Sequence, residues 1–211
     1  MYSMQLFRLP NVFVSDIHRL CARFWWSGDK SKRKIHWRSW DYLCKNKLEG
    51  GLGFRNLISF NQALLAKQAW RILHNPKSLV AKVLKGLYFP RVSFTQARVR
   101  SASSLIWRSF LWGRELLEKG LRWRVGDGCS ISVYRDRWIP KPSTFRLTSC
   151  PNLNADAMVR KLISDLGSWN EQLIGNSFHA DDAAAILGLP LPMQRQRDMQ
   201  IWHFNANRAY W

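Results

Sequence analysis

The chain has 211 residues, 46% of them hydrophobic, which suits a packed core and excludes a disordered tail. Its formal charge is +19, and twelve tryptophans with eleven phenylalanines exceed the needs of one small core, so the first expected partner is a polyanion met by an aromatic surface. There is no run of 18 apolar residues, so no membrane span is expected, and Cys21, Cys44, Cys129 and Cys150 form no C-x-x-C pair, which leaves neither a disulfide framework nor a zinc site and predicts reduced, partly buried thiols.

In chain order, residues 15–26 place Ile17, Leu20, Cys21, Phe24 and Trp25 at helical spacing, with Ser15 as N-cap and Gly28 as the stop. "DKSKRKIHWRSW" then predicts a polar loop leading to a short extended or helical segment, and Gly50-Gly51-Leu52-Gly53 follows it. Residues 56–74 read as a helix capped by Asn56, with Leu57, Phe60 and Leu64 beside a second stripe of Ile58, Leu65, Ala69 and Ile72. Asn75-Pro76 ends it and opens another helix whose Leu79, Val80, Val83, Leu84 and Leu87 are expected to face inward. Ser103 or Ser104 caps a third helix that runs to Lys119, with Gly120 expected in a left-handed C-terminal position.

The period then changes. "LRWRVGDGCSISVYRDRW" alternates, and Asp127-Gly128 between two apolar runs predicts a β-hairpin over 121–134, with Arg122 and Arg124 outward and Trp123 buried. Residues 141–155 read as a linker. Weaker helices are expected over 156–166, after a capping box Ser168-x-x-Glu171, and at "ADDAAAIL". After a second proline-rich linker, "MQIWHF" reads as a strand, "NANR" as a turn and "AYW" as the start of a returning strand. The fold class is therefore mainly α with small β-hairpins, an α+β chain.

The charge is uneven. Residues 1–150 carry 28 Lys/Arg against 8 Asp/Glu, and residues 151–211 carry 5 against 6. Gly50 to Arg114 holds no carboxylate against 11 Lys/Arg, and such a stretch repels itself unless an anion neutralises it. Nucleic acid is the first expected anion and an acidic membrane surface the second. The N-terminal "MYSMQLFRLPNVFVSD" fits neither a secretory signal nor an organelle presequence.

The glycine knot lacks the Lys and Ser/Thr of a Walker loop and the third glycine of a dinucleotide fingerprint, so it reads as a tight turn. Arg55, near the following helix N-terminus, is left as a phosphate ligand, joined by Lys67 and Arg71. No carboxylate pair suits two-metal chemistry, since Asp127 and Asp136 read as structural and Asp181-Asp182 as a helix start. No G-x-S-x-G elbow is present, and His36 and His203 beside tryptophans read as packed rings. No cofactor or metal is expected. The positive signal is the interleaving of cations and flat rings, which suits a backbone-tracking surface with bases stacked on indoles. The candidates are Lys30, Lys32, Arg33, Lys34, Trp37, Trp40, Arg55, Lys67, Arg71, Arg122 and Arg124. For Lys30 to Lys34 a plain solvated loop stands equally beside phosphate binding.

"RFWWSGDKSKRKIHWRSWDYLCKNKLEGGLGFRNLISFNQALLAKQAWRIL", "NPKSLVAKVLKGLYFP" and "IWRSFLWGRELLEKGLRWRVGDGCSISVYRDRWIP" resemble the region after the polymerase domain of plant LINE-type non-LTR retrotransposon reverse transcriptases. "RDMQIWHFNANRAYW" resembles the opening of the zinc-binding-type segment that follows in those polyproteins. The resemblance is dense over 24–140 and looser over 141–198. It implies that 1–140 is a thumb or connector region, 156–198 a weaker helical segment, and 199–211 the truncated start of the zinc-binding-type segment. The family's polymerase carboxylates are expected upstream and its RNase H carboxylates downstream, so the chain is expected to be no enzyme. The expected function is a non-catalytic nucleic-acid-binding remnant, for RNA or DNA without sequence preference. The alternatives are a module docking on reverse transcriptase segments supplied in trans, and residual polymerase or nuclease activity. Nucleus, cytoplasm and mitochondrion stay open as compartments.

Overall fold

A computed structural model describes residues 2–27, 35–141, 143–194, 196–205 and 210. The chain divides into two compact units, residues 1–117 and 118–211. Among the described residues the class is mainly α with one two-stranded antiparallel sheet, the α+β class expected. Among the described residues no helix is long and apolar enough to cross a membrane.

The N-terminal unit contains α1 (Tyr2–Leu6), α2 (Asn11–Ser27), α3 (Trp40–Leu43), α4 (Leu57–His74), α5 (Leu79–Tyr88) and α6 (Leu105–Glu118), the last running to the boundary. The central element is α4. Asn56 starts it, its side-chain oxygen accepting from the N–H groups of Ile58 and Ser59. The stripe of Leu65, Ala69 and Ile72 is buried as its spacing predicts, with Ala66 added. Small residues let α6 come close here: a Cβ on Gly113 would meet the Leu65 carbonyl carbon at 2.4 Å. Buried Asn61, also on α4, holds the N-terminal strap. Its amide donates to the Met4 and Phe7 carbonyls and its oxygen accepts from the Leu9 N–H. On α6, Trp107 is fully buried and stacks on Tyr88 at 4.7 Å and Phe89 at 5.5 Å.

Three expectations about this unit change. Helix α2 starts at Asn11, before Ser15, because Val14 donates to the Pro10 carbonyl and buries itself in the core. Its inward face is Val14, Ile17, Cys21 and Ala22, which turns Leu20 and Phe24 outward. On α5, capped by Ser78, only Leu84 of the expected inward set is buried, alongside Ala81, while Leu79, Val80, Val83 and Leu87 face outward. Of the two serines expected to cap α6, Ser104 does so, accepting from Trp107 N–H as that reading allowed.

The C-terminal unit contains β1 (Leu121–Arg124), α7 (Glu171–Ser177), α8 (Ala180–Leu187) and β2 (Met199–Trp202). Gly120 is not left-handed; its constraint is the Trp202 indole, which a Cβ would meet at 2.5 Å. The hairpin expected over 121–134 does not form. Strand β1 pairs instead with β2, Leu121 opposite Trp202 and Arg124 opposite Met199. The reason is a carboxylate. Asp198 accepts from the N–H groups of Gly126, Gly128 and Ser130, so the chain curls around it instead of laddering back. Ile131 and Val133 then bond to 157–159, with Val159 N–H on the Ile131 carbonyl and Val133 N–H on that of Ala157.

Where a helix was expected over 156–166 there is one 3-10 turn, Val159–Leu162, and Asn170 replaces Ser168 as the cap of α7. The strand at "MQIWHF" forms, whereas the turn and returning strand expected after it fall largely outside the described residues. The core packs Ile131, Val133, Trp138, Ile139, Val159, Leu162, Ile174 and Ile186 together. Residues 141–155 are not a linker, because Phe145 is buried and the segment is tied to Asp182 on α8. That side chain is fully buried. It accepts from the Lys141 ammonium, from both the N–H and hydroxyl of Ser149, and from those of Thr148.

Burial alone would raise the Asp182 pKa, but the hydrogen bonds from Lys141, Ser149 and Thr148 outweigh it and hold it well below the usual carboxylate range. A carboxyl depressed in the folded state adds stability above its unfolded value of about 3.9, and that stability is lost as pH falls through the folded value. Asp182→Asn should therefore lower stability at pH 7 by about 3 kcal/mol and flatten the acid limb below about pH 4, read from urea unfolding at several pH values. An unchanged acid limb would show that this carboxylate does not control it.

Candidate nucleic-acid interface

The basic-aromatic segment of the N-terminal unit folds around short caps. Ser39 accepts from Tyr42 N–H to start α3, and Asn46 accepts from Leu48 N–H to start a 3-10 turn that Gly50 ends at φ 81°. The glycine knot then folds back on itself. Gly51 N–H donates to the Asn46 carbonyl, Leu52 and Phe54 to that of Leu43, and Gly53 to that of Lys45. These donors point into the chain, so the knot is the tight turn that its composition indicates and not a phosphate cradle. The N-terminus of α4 is also filled: Leu57 N–H donates to His18 Nε2, and Ile58 and Ser59 to Asn56.

The turn delivers Phe54 between two indoles. Its ring meets Trp25 edge-on at 4.9 Å and stacks on Trp40 at 5.2 Å. Trp40 also faces His18 at 6.0 Å and is half-buried, so it supports the surface and is no open base platform. Trp37 is different: it is 75% exposed. Beside it, the Arg38 guanidinium lies 4.6 Å from the Tyr42 ring centre, with the Lys45 ammonium 5.4 Å from the same ring. Sequence reasoning missed Arg38, Tyr42 and Lys45. Their i, i+4 and i, i+3 spacing across one short helix was the available signal.

Arg55 is exposed, its guanidinium 4.8 Å from the Phe60 ring centre. Phe60, Lys67 and Arg71 share a face of α4 and, at 1.5 Å per residue, cover roughly 16 Å of its length. Arg71 is exposed and reaches Gln68; Lys67 is half-buried. Lys30, Lys32, Arg33 and Lys34 lie outside the described residues.

Arg122 and Arg124 belong to the other unit and are engaged within it. Arg122 donates to His203 Nδ1 at 3.2 Å and to the Trp123 carbonyl, and Arg124 to Gln196. Burial, and then the Arg122 charge, push the His203 pKa down and keep that ring neutral as the acceptor. Both arginines are half-buried rather than standing free above the strand as the alternation suggests. Trp123 is partly buried against the core.

Asp127 accepts from Cys129 N–H and Asp136 from Ser132 N–H, each closing a turn. The four cysteines are free; Cys21 and Cys44 are half-buried, Cys129 and Cys150 exposed. Burial, then the charges of Asp41 and Cys21, push the Cys44 thiol pKa up. Among the described residues no group of three or more His, Cys, Asp or Glu is placed to hold a metal ion.

Over 139 residues the chain is 47% identical to the uncharacterized mitochondrial protein AtMg00310 of Arabidopsis thaliana, covering 65% of this chain and 90% of that protein. Over 141 residues it is 34% identical to the putative ribonuclease H protein At1g65750 of Arabidopsis thaliana, where the match spans 65% of this chain but only 23% of that protein. No family model and no solved structure matches.

The two glycines of the knot should respond differently to substitution. At Gly51 a Cβ would sit 2.1 Å from the Lys45 carbonyl oxygen, whereas at Gly53 it would meet nothing within 4 Å and only φ 72° opposes it. Gly51→Ala should cost more than about 2 kcal/mol and Gly53→Ala about 1 kcal/mol, measured by urea midpoints. Equal costs would contradict the close backbone approach at Gly51.

Proposed function

The chain belongs to the family of the uncharacterized mitochondrial protein AtMg00310 of Arabidopsis thaliana, and on that premise we propose that it is a non-catalytic, nucleic-acid-binding piece derived from a retrotransposon reverse transcriptase. The observation that carries this reading is the segregation of charge. The N-terminal unit holds 21 Lys/Arg against 5 Asp/Glu, the C-terminal unit 12 against 9. The stretch from Gly50 to Arg114 holds 11 Lys/Arg and no carboxylate. Exposed Trp37 beside Arg38, with Arg55, Lys67 and Arg71, supplies the flat ring and the cations that a single strand uses. The likeness to a putative ribonuclease H protein is in keeping with this partner class. The derivation from the region after the polymerase domain of a LINE-type element rests on the sequence resemblance.

A second reading, docking on reverse transcriptase segments supplied in trans, is favoured by one observation: Trp25 is 49% exposed although its ring edge already packs on Phe54.

Fluorescence anisotropy with single-stranded RNA, single-stranded DNA and duplex, titrated from about 50 to 200 mM salt, tests the first reading. Affinity should fall steeply with salt. Arg55→Ala/Lys67→Ala/Arg71→Ala should reduce the log–log slope by about 2, three phosphate contacts at roughly 0.7 each. Trp37→Ala should weaken single-strand binding about tenfold, within the range of one lost stacking contact, and leave duplex binding nearly unchanged. No binding at 50 mM salt, or binding indifferent to salt, overturns the reading.

A further inference from the structure

The outward face of α5 is the least expected surface of the molecule. Leu79, Val80, Val83 and Leu87 are 77%, 58%, 50% and 64% exposed, and they lie within one 100° arc of the helix. Apolar side chains scattered singly over a surface need no explanation, but four on one helix face mark a contact site. Beside the stripe is a recess of about 290 Å³. Ile72, Val80 and Phe110 give it apolar walls, and Gln68, Asn75 and Arg71 give it polar ones. Val80 belongs to both the stripe and the recess.

We infer that this stripe and recess form a docking groove for an acidic amphipathic helix of a partner protein. The shape argues for a helix with projecting side chains. An apolar cavity of about 150 Å³ holds a benzene ring, so the recess has room for a large apolar side chain. A flat bilayer surface would cover the stripe and leave the recess, with its amide groups, unfilled. The chemistry argues against nucleic acid on this face, because Leu and Val offer no flat ring for a base. Charge sets the sign of the partner. Lys82 borders the stripe, Lys77 precedes the helix and Arg71 lines the recess, all within a stretch that has no carboxylate. A second copy would bring another unit of formal charge +16 against the first. Glutamates flanking an apolar stripe complement the groove instead.

The full chain is titrated, at low salt, into a labelled helical peptide of about 18 residues with Leu at i, i+3, i+4 and i+7 and Glu on both flanks, followed by anisotropy. The expected result is saturable binding that weakens at least tenfold when the glutamates become lysines. Leu79→Gln/Val83→Gln/Leu87→Gln should weaken it at least tenfold with an unchanged circular-dichroism melting curve, since all three side chains already face solvent. Absence of binding, equal binding of the acidic and basic peptides, or full binding by the triple variant overturns the proposal. So does pelleting with 3:1 phosphatidylcholine/phosphatidylglycerol vesicles without peptide binding, or a self-association that the triple variant abolishes. The triple variant leaves Trp37, Arg55, Lys67 and Arg71 in place, so its effect on the peptide is read separately from nucleic-acid binding, although Arg71 borders both sites.

Discussion

The N-terminal unit is built under one constraint: from Gly50 to Arg114 its cations have no carboxylate within the stretch to answer them. No ion pair can therefore form within that stretch. Cohesion comes from apolar helix faces, from close crossing at Gly113, and from rings stacked on rings around Trp107 and Phe54. Several cations find partial satisfaction on aromatic faces, Arg8 over Trp112 and Arg38 over Tyr42 among them. Such contacts hold a guanidinium in place without cancelling its charge. The fold thus fixes the geometry of part of its positive charge without neutralising it.

The C-terminal unit uses a different chemistry. Several of its carboxylates accept from backbone N–H groups: Asp182 gathers the 141–149 segment, Asp198 the 126–130 turn, and Asp136 the Ser132 N–H. These are long irregular segments whose N–H groups have few ladder partners, and a carboxylate satisfies several at once. One chain therefore carries a cation-rich helical unit and a unit in which some acids serve the backbone.

Local signals were legible in the sequence. Asn56 before a two-stripe helix, the tight turn at the glycine knot, and the strand at "MQIWHF" all follow from spacing and capping chemistry. Long-range choices were not. Nothing near Asp127-Gly128 shows that Asp198 will claim the turn or that β2 will take the strand expected for Ile131 and Val133. The face of α5 misled for a related reason. Its apolar arc is wider than the part its own unit covers, and periodicity reports the arc and not what covers it. In the candidate interface Trp37, Arg55, Lys67 and Arg71 were legible as residue types, whereas Arg38 and Lys45 were not. The role of Trp40 was not, since its stacking partner Phe54 arrives through the glycine turn.

The pairing of β1 with β2 has a consequence for how the molecule is made. About 75 residues separate Arg124 from its partner Met199, so at 5–20 residues per second a ribosome delivers the second strand on the order of ten seconds after the first. Until then the Asp198 clamp is missing too, and the 126–130 turn has no acceptor for its N–H groups. The helices of residues 1–117 emerge earlier. During synthesis, then, the cationic unit emerges while the second half is still an open chain on the ribosome, a particle rich in RNA and so itself a polyanion.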